Sequence, residues 1–224
     1  MNNERPDLAS RAARHAALGD ESRLRIVDLL AVADYSPGEL QARVGIPSNL
    51  LAHHLGQLER AGLVERSRSE ADRRRTYIHL IPHAVEGLSG CGPLPAPPRV
   101  LFVCTANSAR SQLAAALWSK ASRIPVASAG THPADRVSQG ALETAARHGL
   151  RFTGRRPRVL SEVRGSGDLL VTVCDSAHEE LGDVGGLHWS IADPVQVGTI
   201  AAFDAAFERL RERIADLAPR IAAR

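Results

Sequence analysis

The sequence predicts two folds in one chain: an α+β domain first, then an α/β domain carrying a parallel sheet. Three observations carry this reading. The stretch from Gly87 to Pro98, GLSGCGPLPAPP, is rich in proline and glycine and lacks apolar periodicity, so it reads as a semi-rigid linker. Ahead of it, a short helix, a glycine turn, a longer helix and two short strands follow in the order of a winged helix-turn-helix. Behind it, strand and helix patterns alternate, which implies a parallel sheet covered by helices. The expected domains are therefore residues 1–86 and 99–224, joined by 87–98. Each is long enough for its own core.

In the first domain, Arg5 to Leu18 is alanine-rich and helix-prone. Asp20 is placed to cap a helix carrying Leu24, Val27, Leu29 and Leu30 on broadly one apolar side. Ser36-Pro37-Gly38-Glu39 spells a capping box, with proline at the first helical position. Gly45 should stop that helix. A second start follows at Pro47-Ser48-Asn49, with Leu51, Leu55 and Leu58 at helical spacing and Gly62 as the stop. Leu63 to Arg66 and Thr76 to Leu80 read as strands of a hairpin wing around the charged tip Ser69 to Arg75.

In the second domain, Arg99 to Val103 and Asp168 to Val173 read as buried strands, and Val126 to Ser128 as a shorter one. Helices are expected over Ser111 to Ala121 and Ser138 to Gly149. Ile200, Phe203, Phe207, Leu210, Ile214 and Leu217 recur in steps of three and four and mark a last helix.

Composition narrows the class. The chain has 224 residues, 44% hydrophobic and 24% charged, with a net charge of +3. That is unlike a disordered, collagenous or disulfide-stapled chain. No apolar run approaches the roughly 18 residues that span a bilayer, and the opening MNNERPD lacks the features of a secretory signal. No membrane partner is expected. Cys91, Cys104 and Cys174 are too few and scattered for a secreted framework, which points to a reducing cytoplasm. The first ninety residues are charge-balanced, so nucleic-acid binding cannot be argued from bulk charge and must come from a surface.

That surface is the second helix of the helix-turn-helix. Opposite its leucines stand Ser48, Asn49, Ala52, His53, Gly56, Gln57 and Arg60. Small residues let a helix approach the floor of the major groove, and Asn and Gln read adenine edges. Arg73, Arg74 and Arg75 at the wing tip suit phosphates. His53 and His54 are adjacent, so they point in different directions and make a poor metal pair; no metal site is expected. The stretches ALGDESRLRIVDLL, HHLGQLERAGLVERSR and DRRRTYIHL resemble winged-helix repressors of the ArsR type over about residues 10 to 82. The resemblance implies a homodimer on a double-stranded operator. Two departures stand out: SPGELQARV lacks the cysteine pair of metal-sensing members, and Ala52 replaces a usual serine or threonine.

The second chemical motif is Cys104-Thr105-Ala106-Asn107-Ser108-Ala109-Arg110-Ser111, running from a strand into a helix. Such a loop turns backbone N–H groups inward as an anion cradle. A cysteine at its base lies in the positive field of the helix, which favours the thiolate. Arg110 can grip a tetrahedral oxyanion, Ser111 can donate to the sulfur and Asn107 can brace the loop. The leaving oxygen needs an acid, and Asp193, held by Pro194, is the best candidate.

Residues 99 to 218 resemble the low-molecular-weight tyrosine phosphatase fold, and more closely its arsenate reductase branch, through VLFVCTANSARSQLAAAL, ASAGTHP, DLLVTVCDSAHEEL and HWSIADP. The resemblance implies Cys104 as nucleophile, Arg110 as oxyanion ligand and Asp193 as acid. Val195 and Gln196 stand where phosphotyrosine enzymes usually carry aromatics, which favours a small inorganic oxyanion over phosphotyrosine. Thioredoxin-linked reductases use two further cysteines seven apart. Cys174 matches the first, but Leu181 occupies the second. Either Cys174 resolves directly or an external thiol does: thioredoxin, glutaredoxin or mycoredoxin, or a low-molecular-weight thiol. No bound cofactor is expected. A phosphatase acting on phosphotyrosine or a small phosphate ester, and a non-enzymatic oxyanion sensor, are the alternatives. Cys174 would resolve the adduct only if the chain after Val173 moves, which the glycine-rich run Leu181 to Gly186 would help.

Overall fold

The computed structural model describes residues 8–81, 84, 95–152, 154, 156–182, 184 and 186–221. The chain divides into two compact units. Cys91 and most of the proposed linker lie outside the described residues, as do Arg5 and the opening heptapeptide.

The first unit begins with α1 (Leu8–Leu18) and α2 (Glu21–Leu30). Asp20 caps α2, its carboxylate accepting from Arg23 N at 3.0 Å. Ile26, Val27 and Leu30 form the buried stripe of α2, while Leu24 is exposed. The expected apolar side was thus displaced: the stripe centres on Ile26 and Leu30, and Leu24 falls beyond its edge. Helix α3 (Pro37–Val44) starts in the predicted capping box, with Ser36 N donating to Glu39 Oε2 at 2.7 Å. It ends at Gly45, whose φ of 77° is the left-handed conformation glycine adopts freely. Helix α4 (Ser48–Arg60) buries Leu51, His54, Leu55 and Leu58. Strands β1 (Val64–Arg68) and β2 (Thr76–Leu80) pair antiparallel, Val64 opposite Leu80 and Arg68 opposite Thr76. The core gathers Ile26, Leu30, Leu40, Leu55, Leu58 and Ile78, each fully buried. At about 1.5–3 kcal/mol per large apolar side chain, these residues dominate the unit's stability.

The second unit starts with β3 (Val100–Cys104), buried along its whole length. Helix α5 (Arg110–Ala121) follows, then β4 (Val126–Gly130), α6 (Gln139–Arg147), α7 (Leu160–Val163), β5 (Leu169–Thr172), α8 (Asp175–Leu181), β6 (Leu187–His188), α9 (Pro194–Val197) and α10 (Ile200–Arg220). The sheet runs β4-β3-β5-β6, every pair parallel. Its central strand is all apolar because both faces are covered. Phe102 on β3 meets Trp118 and Trp189 at centroid distances of 6.0 and 5.7 Å. Helix α10 packs on α5 and α6, burying Phe203, Phe207, Leu210, Ile214 and Leu217. Ile200, expected on this stripe, is exposed, because it opens the helix ahead of the packed turns. Elements α7, β6 and α9 span two to four residues each, too short to show a period. No described helix is long and apolar enough to cross a membrane.

Candidate active site and nucleic-acid interface

Parallel strands deliver their C-terminal ends to one sheet edge, where ligands bind. Cys104 is the last residue of β3, one later than the expected strand end, and lies buried at that edge. The loop is Thr105 to Ala109, and Arg110 is the first residue of α5, one ahead of the helix start expected at Ser111. Thr105, Ala106 and Ser108 turn their carbonyls outward: His132 N, Ala134 N and Ser138 N each donate to one of them at 2.9 Å. In a trans peptide the N–H points opposite to the carbonyl. The N–H groups of Ala106, Asn107 and Ala109 therefore face the loop interior, and Asn107 N donates to Cys104 Sγ at 3.2 Å. Ser111 Oγ lies 3.1 Å from the same sulfur.

Asn107 is buried at φ 48°, a left-handed conformation that asparagine tolerates better than most residues. Its amide nitrogen donates to Ser111 Oγ at 2.8 Å, and its oxygen accepts from Arg158 N at 2.9 Å and Gln112 Nε2 at 3.3 Å. Gly130 ends β4 against the loop. A Cβ there would lie 2.5 Å from Thr105 O and 3.0 Å from Asn107 N, so only glycine fits.

Arg110 is 7% exposed. Its guanidinium donates to Ile191 O at 2.9 Å and to Asp193 Oδ2 at 2.8 Å. Asp193 also caps α9 by accepting from Val195 N at 3.0 Å. The two residues singled out as oxyanion ligand and acid are thus ion-paired to each other.

Cys174 caps α8, its sulfur accepting from Ala177 N at 3.4 Å. Leu181 is the last residue of that helix, and Asp183 and Gly185 lie outside the described residues. The Cys174 sulfur is 3.5 Å from Thr105 Oγ1, beside the loop. Burial pushes its thiol pKa up, against the opposing charge of Arg110. Sequence reasoning missed a buried group behind it: His188 Nδ1 lies 3.0 Å from Thr172 Oγ1, and its Nε2 3.3 Å from Asp175 Oδ1. It also missed Gln112, five residues after Asn107, and Arg158, which reaches Asn107 only through the tertiary fold. Among the described residues, no group of three or more His, Cys, Asp or Glu could hold a metal.

On α4, Ser48, Asn49, Ala52, His53 and Arg60 are exposed and Gln57 is half-buried, opposite the buried leucines. Gln57 Nε2 and His53 Nε2 lie 3.5 Å apart. His54 turns inward, its Nδ1 3.8 Å from Asp20 Oδ1. Arg73, Arg74 and Arg75 are exposed between the two strands of the hairpin. One helix face thus carries the candidate base-reading residues, and the hairpin tip carries the cations.

A match to the family described as "Low molecular weight phosphotyrosine protein phosphatase" spans residues 99–224, more than half of the chain. A match described as "Helix-turn-helix domain" spans 18–67. Over 61 residues the chain is 43% identical to the "Uncharacterized HTH-type transcriptional regulator YdgJ" of Bacillus subtilis (strain 168), covering 27% of this chain and 37% of that one. The chain therefore spans little more than a third of that regulator's length. Over 102 residues it is 28% identical to the "Putative arsenate reductase" of Halobacterium salinarum, covering 42% of this chain and 72% of that one. The tyrosine phosphatase Wzb from Escherichia coli K30, solved in complex with sulphate, shares the fold at a TM-score of 0.51 and 22% identity, over 56% of this chain and 99% of that one. The arsenate reductase from Archaeoglobus fulgidus DSM 4304 aligns at a TM-score of 0.49 and 31% identity, over 54% and 98%.

Proposed function

Because this chain belongs, through residues 99–224, to the low molecular weight phosphotyrosine protein phosphatase family and carries a helix-turn-helix domain at 18–67, we propose that it is a transcriptional regulator fused to a cysteine-dependent arsenate reductase. The observation that carries the catalytic half is the loop geometry: a buried cysteine beneath inward amides, with Arg110 and Asp193 paired at the same site.

The chemistry follows from that arrangement. The Cys104 thiolate, stabilised by Ser111 and the Asn107 amide, attacks the arsenic of arsenate. The loop amides of Thr105 to Ala109 and the Arg110 guanidinium take up the oxyanion charge. The anion competes with Asp193 for Arg110; the released carboxylate takes up a proton, brought in on the bound hydrogen arsenate or from water, and hands it to the arsenate oxygen that leaves as water. A thiolate then attacks Cys104 Sγ. A sulfur–sulfur bond forms, the sulfur–arsenic bond breaks with its electron pair on arsenic, and arsenite departs. A second thiol restores Cys104. Thiol donors of three kinds can serve: thioredoxin, glutaredoxin or mycoredoxin, and small thiols. Cys174 resolves the adduct internally only if the α8 cap opens.

The N-terminal half binds an operator as an ArsR-type homodimer, reading bases through Ser48, Asn49, His53 and Gln57 and gripping phosphates through Arg73, Arg74 and Arg75. The protein works where its DNA lies, in the cytoplasm. The identity with an HTH-type regulator and the polar face of α4 support this half. A second catalytic reading, a phosphatase for aryl or small phosphate esters, is favoured by the family match itself. Arsenate-dependent thiol consumption, measured with each donor system beside aryl phosphate hydrolysis, separates the two. Consumption that vanishes in Cys104→Ser supports the reductase. Steady ester turnover without thiol, and no response to arsenate, overturns it.

A further inference from the structure

Beside the cysteine loop lies a cavity of about 800 Å³. Ser108 of the loop and Val195, two residues beyond Asp193, both line it, so it opens onto the reacting sulfur's surroundings. A tetrahedral inorganic ion is held by the loop alone. The remaining volume is within the range that takes a drug-sized organic molecule. Its wall is mixed: Val137, Leu142 and Phe152 are apolar, and Arg136 is exposed with no hydrogen-bond or ion-pair partner among the described residues.

We propose that this cavity is the binding site of the electron donor: a low-molecular-weight cysteinyl thiol whose free carboxylate pairs with Arg136 and whose body rests on Leu142 and Phe152. The proposal builds on the reductase reading above. Three observations select this occupant. Arsenate reduction needs two electrons, and the internal relay is incomplete, since Leu181 stands where its last cysteine would be. Cys174 is 1% exposed and committed to capping α8, so it is a poor internal donor. An aryl ester would be the other organic occupant, but no aromatic residue follows Asp193-Pro194 to hold a ring; Val195 and Gln196 do. A thiol seated here attacks Cys104 Sγ. The sulfur–arsenic bond breaks toward arsenic, As(V) becomes As(III), and a mixed disulfide on Cys104 is left for a second thiol to reduce.

The test uses the full chain and a donor that cannot react. S-methylglutathione and inorganic phosphate are titrated separately against iodoacetamide alkylation of Cys104, followed by peptide mass. In the wild type, S-methylglutathione should protect Cys104 saturably. Arg136→Gln and Leu142→Trp, both at exposed positions, should each raise its midpoint about tenfold, the size of one charged contact or a filled subsite, and leave the phosphate midpoint unchanged. Wild-type protection by phosphate only, or variants that titrate like wild type, overturns the proposal. So does a rise in phenyl phosphate KM in both variants without any change in S-methylglutathione protection, which would assign the cavity to an ester's leaving group. Arsenate-dependent glutathione oxidation, run in parallel, keeps the two readings apart. Turnover without protection sinks this site alone. Protection without turnover supports the thiol site and removes the reductase reading.

Discussion

Asn107 shows how much of the site rests on one side chain. Its backbone supplies an N–H to the Cys104 sulfur, and its amide ties Ser111, Gln112 and the backbone of Arg158 together. Replacing it by alanine removes three bonds and leaves a residue less suited to φ 48°. Asn107→Ala should lower kcat/KM by about 10–100-fold, roughly 1.4–2.7 kcal/mol of transition-state stabilisation, with the far-UV spectrum unchanged. Wild-type kinetics would remove Asn107 from the bracing role. Cys104, Arg110 and Asp193-Pro194 could be singled out in the sequence because each sits in a local motif. The Asn107 network was not, since Arg158 lies 51 positions away in the chain. Nor was the Arg110–Asp193 pairing, which depends on where α9 begins.

The elements were legible where the period was long or the cap explicit. Helix α3 could be read from Ser36 and Glu39 alone, whereas β6 has two residues and no pattern to read. What joins the strands was also hidden. Arg99, just before β3, donates through Nε to Asp168 Oδ1 at 2.9 Å, just before β5. The side-chain hydrogen bond from Arg99 holds the Asp168 carboxyl below its ordinary value, against burial that opposes it. A carboxylate with a lowered folded pKa adds stability above its unfolded pKa, about 3.9, and that contribution is lost as pH falls through the folded value. Asp168→Asn should therefore cost about 2 kcal/mol at pH 7, and the gap to wild type should be smaller at about pH 3, below the unfolded pKa of about 3.9. Urea unfolding at both pH values checks it, and an equal gap at both contradicts it. On α4, Asn49→Ala or Gln57→Ala should each weaken specific DNA binding by about 1–3 kcal/mol while leaving non-specific binding unchanged. Loss on both kinds of DNA would make these residues backbone contacts.

At the scale of the whole molecule, the chain joins a helix-turn-helix domain to a phosphatase-family domain. One recognition helix covers a few base pairs, so a homodimer on an inverted repeat is the expected binding species. Sedimentation should give twice the monomer mass, and a half-site should bind far more weakly than the full repeat. Arg74→Ala should weaken specific and non-specific binding alike and lower the slope of log K against log salt by about one. An unchanged slope would take Arg74 off the phosphate backbone. In the sequence a dimer is implied only through resemblance, because no apolar face there declares what covers it.

The outward carbonyls of the cysteine loop have a consequence for selectivity. Because Thr105, Ala106 and Ser108 are tied from outside, the inward dipoles are set before any ion arrives, and the ring reads geometry and charge rather than the identity of the central atom. Phosphate, sulfate and arsenate are near-isosteres to such a ring. Under the proposed reductase function, discrimination would fall to the later event, in which the bond between sulfur and the central atom must break with its electrons on that atom. Arsenic accepts the pair from a thiol and phosphorus does not. The protein would sort its oxyanions by their redox chemistry after capture, and cellular phosphate would be a standing competitor that slows it without being consumed.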